Sequence, residues 1–105
     1  VFVGIFGTVD VSDQVRQPAG FVLEQNFPNP FNPSTTIRFS LKKKDHVTLK
    51  VFDTAGREVH KLVDRQMDAG EHEVLYNGNQ LASGIYYYTL ESGNRHETMK
   101  MILLK

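Results

Sequence analysis

The stretch IYYYTLESGNRHETMKMILL, residues 85–104, decides the fold. Across residues 85–91, Tyr86, Tyr88 and Leu90 fall on one side of an extended chain, and Ile85, Tyr87 and Thr89 on the other. That two-residue repeat is the period of a β-strand. Both sides are largely apolar, which predicts a central strand covered on both faces or nearly so. Residues 92–95 (SGNR) then close a hairpin, because Gly93 and Asn94 tolerate positive φ. Residues 95–104 pair back as the last strand.

Working backwards, residues 81–84 (LASG) lead into the tyrosine strand, and Gly84 permits a backbone turn before it. Asn77 and Gly78 signal another turn. Residues 71–76 (EHEVLY) read as a strand, preceded by a turn at 68–70. Residues 58–64 (EVHKLVD) read as a weaker strand at an edge, entered through the tight turn DTAG at 53–56. Residues 46–52 (HVTLKVF) send Val47, Leu49 and Val51 inward and Thr48 and Lys50 outward. Residues 35–41 (TTIRFSL) alternate Ile37, Phe39 and Leu41 with Thr36, Arg38 and Ser40. Between these two strands, residues 42–45 (KKKD) are a charged turn.

Three of the four prolines fall in PNPFNP, residues 28–33. Proline fixes φ and has no N–H, so this segment is neither a central strand nor a helix interior. It reads as a rigid connection that Phe27 and Phe31 pin to the core. Residues 12–20 (SDQVRQPAG) read as a linker. Residues 1–11 (VFVGIFGTVDV) read as a strand weakened by Gly4 and Gly7. It would be the last strand of a preceding domain, or one that borrows a sheet edge and pairs two copies into a dimer. About seven short strands, and no sustained helical period, predict an all-β, Ig-like antiparallel β-sandwich over residues 21–105.

Composition limits what such a domain does. Lysine plus arginine equals aspartate plus glutamate at 12 each, so no net charge marks a nucleic-acid or acidic-membrane surface. With no cysteine, disulfides, thiolate chemistry and cysteine-ligated metals are excluded. No apolar run approaches the ~20 residues of a membrane helix. The start lacks an initiator methionine, a basic region and a small-residue cleavage site, so the chain reads as continuing from an upstream polypeptide.

Nothing assembles into a catalytic motif. His46, His60, His72 and His96 each occupy a different strand or turn, without HxxxH spacing, and read as surface or edge residues rather than zinc ligands. Asp64, Asp68, Glu71 and Glu73 cluster near one turn without calcium-loop spacing. None of the serines lies in G-x-S-x-G, and there is no P-loop or GxGxxG. Tyr86 and Tyr88 read as core or corner residues, leaving Tyr87 as the exposed member of the trio. No catalytic residue, cofactor or metal is expected.

From Leu23 onward the chain carries an ordered set of motifs: LEQNFPNPFNP at 23–33, STTIRF at 34–39, VTLKVFD at 47–53, GREV at 56–59, AGEH at 69–72, LASGIY at 81–86 and KMILLK at 100–105. In this combination it resembles the type A C-terminal sorting domain of the type IX secretion system. It is also similar to the Ig-like domain of the flagellar hook-capping protein. The resemblance implies a non-catalytic tag at the end of a secreted cargo. Outer-membrane secretion machinery would recognise it after passage through the periplasm. A sortase-like surface protease would cut ahead of it, roughly at residues 12–20, and leave the cargo attached at the cell surface. The residues carried over as the recognition signal are Gly84, Tyr86, Lys100, Met101, Ile102, Leu103, Leu104 and Lys105. The family often has two basic residues before the final apolar run; here Met99 and Lys100 stand there. On this reading the last strand is read through its free backbone edge, with Lys100 and Lys105 as two charges at fixed spacing for an acidic receptor. The alternative is an accessory carbohydrate-binding or spacer module of a secreted hydrolase. That would need a row of exposed aromatics, with Tyr76, Tyr87 and the phenylalanines available.

Overall fold

The computed structural model describes residues 20–105, so the readings made for residues 1–11 and 12–19, the dimer among them, fall outside the described residues. Seven strands run in order: β1 Phe21–Leu23, β2 Ser34–Leu41, β3 Asp45–Phe52, β4 Glu58–Met67, β5 Gly70–Asn77, β6 Gly84–Ser92 and β7 Arg95–Leu103. They form two antiparallel sheets, β1-β2-β5 and β4-β3-β6-β7, the two layers of an Ig-like sandwich.

The alternating residues make the core. Ile37, Phe39 and Leu41 of β2 face Val47, Leu49 and Val51 of β3 and Tyr88, Leu90, Met101 and Leu103 of the β6–β7 hairpin, all of them buried. Each such side chain contributes roughly 1.5–3 kcal/mol by leaving water. Their alternation also fixes register, since a one-residue slip would turn the buried set into solvent.

Three expectations need correction. β6 is central within its sheet but, among the described residues, covered on one face only: Tyr86, Tyr88 and Leu90 are buried, while Ile85 stays 41% exposed and Tyr87 and Thr89 half-buried. Apolar content on the second face had suggested a second cover. Of the two phenylalanines meant to pin the proline segment, only Phe31 does so, at 1% exposure; Phe27 is 79% exposed. Phe27 is held by its backbone instead, through reciprocal bonds with Thr36 at 3.0 and 2.9 Å, and these orient its side chain away from the core. Finally, β1 lies within a stretch that carried no strand signal. Three residues are too short for a visible period, and β1 exists because it pairs Phe21–Leu23 against Leu41–Phe39.

Candidate recognition site on the last strand

The hairpin that carries the candidate residues is in register from Ser92↔Arg95 at the turn to Gly84↔Leu103 at the far end. Its two-residue loop contains Gly93 at φ +65°, and Asp45 at the start of β3 holds the turn in place. One Asp45 oxygen accepts from Ser92 Oγ at 2.9 Å, and the other from the His46 N–H at 2.8 Å. The Ser92 hydroxyl, followed by the His46 N–H, holds the Asp45 carboxyl below its usual range. At the other end Gly84 adopts φ +154°, a conformation that L side chains avoid. Two residues on, the Tyr86 hydroxyl donates to the Ala82 carbonyl at 2.7 Å and fixes the corner through which the chain enters β6.

The eight candidate residues do not form one exposed string. Tyr86, Met101 and Leu103 are buried, and Gly84 and Ile102 are half-buried. Lys100, Leu104 and Lys105 are exposed. Lys105 is nonetheless engaged: its ammonium donates to the carbonyls of Asn79 and Leu81 at 2.6 and 2.7 Å, and its backbone N–H to Ser83 Oγ at 3.0 Å. It therefore clamps the β5–β6 connection rather than standing free as a second charge.

The outer edge of β7 differs most from expectation. Ile102 directs its backbone groups away from β6, and residues 25–31 occupy them. The Phe31 N–H donates to the Ile102 carbonyl at 2.9 Å, and the Leu104 N–H donates to the Phe31 carbonyl at 2.9 Å. Asn29 Oδ1 accepts the Ile102 N–H at 2.9 Å, and Gln25 Nε2 donates to the Lys100 carbonyl at 2.8 Å. Phe31 pairs parallel with Leu103, so this proline-rich strap acts as a surrogate strand sealing the terminal residues. Prolines lack the N–H that a strand partner must donate. The residues between and before them supply what is missing: the Phe31 backbone, the Asn29 amide oxygen and the Gln25 amide nitrogen.

A buried polar network anchors the strap. Tyr88, fully buried, accepts the Asn26 N–H at 2.8 Å on its hydroxyl and donates to the Glu24 carbonyl at 2.7 Å. Asn26 Nδ2 donates to Thr35 Oγ1 at 3.0 Å and to the Pro28 carbonyl at 3.2 Å; Thr35 Oγ1 donates to that same carbonyl at 2.9 Å. Asn26 is 2% and Thr35 1% exposed, so leaving these groups unpaired would cost about 1–3 kcal/mol each. Burial pushes the Tyr88 hydroxyl up to about 12, so it remains a neutral donor. Gly78 completes the seat: a Cβ there would lie 3.2 Å from Leu103 Cδ2 and 3.3 Å from Phe31 Cε2. Its N–H donates to the Pro33 carbonyl at 2.8 Å.

Sequence reading missed Gln25, Asn26, Asn29 and Phe31 as parts of this site. The available signal was polar amides interleaved with prolines, side chains able to bond where the backbone cannot. The remaining candidates scatter. His46 meets Asp64 at 2.7 Å, His60 meets the Tyr76 hydroxyl at 2.7 Å, and His72 lies 2.8 Å from the Asp68 carbonyl. Glu73 pairs with Arg38 at 2.7 Å. Of the aromatics available for a glycan platform, Tyr76 is buried, Tyr87 is half-buried on the larger sheet, and Phe27 bridges the smaller one.

The model of a family described as secretion system C-terminal sorting domain matches residues 25–104, from the strap to the end of the last strand. An endo-acting ulvan lyase of Formosa agariphila is 32% identical over 79 residues, 75% of this chain but only 14% of the lyase. Among solved structures, dimeric latent PorU from Porphyromonas gingivalis superposes with a TM-score of 0.62 at 22% identity, covering 80% of this chain and 9% of that one. PorZ, a surface component of the type IX secretion system of the same organism, gives 0.56 at 23% identity, with 90% and 13% covered. At such identities the two structures show a shared fold. In every case this chain spans a small part of its relative.

Proposed function

Since the chain belongs to the type IX secretion system C-terminal sorting domain family, we propose that it is a non-catalytic signal directing a cargo in the same polypeptide across the outer membrane and to attachment at the cell surface. Transit runs through the periplasm, and residues 21–105 act as the tag, with the cut made in residues 12–20. The partners are the outer-membrane machinery and a sortase-like surface protease. The observation that carries this reading is the family match over residues 25–104, which includes both the strap and the β6–β7 hairpin. The recognition element is the end of that hairpin, Gly84, Tyr86 and residues 100–105, taken as a folded surface rather than a linear string.

The decisive test is a fusion. A reporter carrying an export signal, followed by this chain, is expressed in a bacterium with a type IX system. Reporter is expected at the surface or in the medium, while the reporter alone stays in the periplasm. Periplasmic retention of the fusion would overturn the reading. Deleting residues 100–105 is not diagnostic, because it removes Met101 and Leu103, both 0% exposed, along with the strand that holds the strap. Losing two such side chains costs roughly 2–5 kcal/mol each, a large part of the ~5–15 kcal/mol that keeps a domain folded.

A further inference from the structure

We propose that the partner reads one face of the domain, the outer side of the larger sheet at Ile85, Tyr87, Lys100 and Ile102, and that this face fits a protein surface presenting a carboxylate beside an apolar patch. The inference rests on the sorting-signal reading and specifies which side is read.

The register places Ile85 opposite Ile102 and Tyr87 opposite Lys100, with Phe52 next across the sheet. Because Ile102 turns its backbone groups away from β6, these are the non-hydrogen-bonded pairs, in which side chains lie closest. Ile85 is 41% exposed and Tyr87, Ile102 and Phe52 are half-buried, so apolar surface surrounds an exposed lysine. Charge supplies the second argument. Two other lysines on this face are paired: Lys50 lies 3.7 Å from Glu58, and Lys61 lies 3.2 Å from Asp64. Among the described residues Lys100 forms no ion pair. An isolated cation in an apolar setting calls for an anionic group on the partner, which would orient docking as well as attract.

The strap braces the backbone under the face. It holds the Lys100 carbonyl and both Ile102 backbone groups, so the backbone adds little ordering cost on binding. The Asn29 amide oxygen holds the Ile102 N–H, and Pro28, Asn29 and Pro30 are exposed.

The test uses the same reporter fusion, with extracellular reporter and the thermal midpoint of the purified chain measured for each variant. Lys100→Glu and Ile85→Asp should each lower export roughly tenfold, the effect of about 1.4 kcal/mol in binding. Their midpoints should stay within about 2 °C of the parent. Lys100→Arg should export normally, as should Lys43→Glu at the β2–β3 turn and Leu75→Asp on the smaller sheet. Lys100→Glu alone decides if Ile85→Asp lowers the midpoint. A parent fusion that stays in the periplasm defeats the sorting reading itself. A parent that is exported equally well with Lys100→Glu defeats only the choice of face, as does loss of export in Leu75→Asp. A dimer in sedimentation that Ile85→Asp abolishes would hand the face to a second copy and overturn the proposal.

Discussion

Tyr88 carries more of the architecture than its volume suggests. Its ring lies in the core, and its hydroxyl is both acceptor for the Asn26 N–H and donor to the Glu24 carbonyl. Tyr88→Phe keeps the ring and leaves both backbone groups without that partner. It should therefore lower stability by about 1–3 kcal/mol in denaturant titration at unchanged slope. Tyr87→Phe, one position along and half-buried, should stay within about 0.5 kcal/mol. Equal effects would mean that burial of the hydroxyl does not matter. The alternation of the three tyrosines separated inward from outward in the sequence. Which backbone groups Tyr88 bonds to was not legible, because Asn26 and Glu24 lie more than sixty positions away.

Strands with a clean period were legible as elements: β2, β3 and β6 declared their inward residues. The strap was not. Proline-rich segments have no period, so nothing local distinguishes Phe31, which is buried, from Phe27, which is not. Nor does composition reveal that Asn29 will meet Ile102. The readable edge expected at the chain's end was inferred from one strand alone, whereas edge exposure is settled by whatever else the fold brings there. If the strap is a separable element, Phe31→Ala should cost about 3–5 kcal/mol. Amide exchange at Ile102 and Leu104, which bond to the strap, should then accelerate more than at Met101 and Leu103, which face β6. Uniform acceleration at all four would show that strap and sheet open only together.

At the scale of the molecule, two buried tyrosines report on whether the sheets behave as one cooperative unit. Burial pushes Tyr76 on the smaller sheet and Tyr88 on the larger one up to about 12, against an ordinary value of 10.0. The folded state holds these protons more tightly than the unfolded chain. Their stabilising effect is therefore complete below pH 10 and declines as pH rises through 12. The unfolding midpoint should be level up to about pH 10 and fall between 10 and 12, with both sheets melting together; a level profile across that window would refute it. Gly78 adds a different kind of durability. An asparagine followed by glycine is the pair most prone to spontaneous deamidation, a reaction in which the glycine nitrogen attacks the preceding side chain. Here that nitrogen is occupied by Pro33, and its residue is wedged against Phe31 and Leu103. The folded chain should thus keep its original mass during long storage, while a denatured sample ages at residue 77, a contrast that mass spectrometry would read directly.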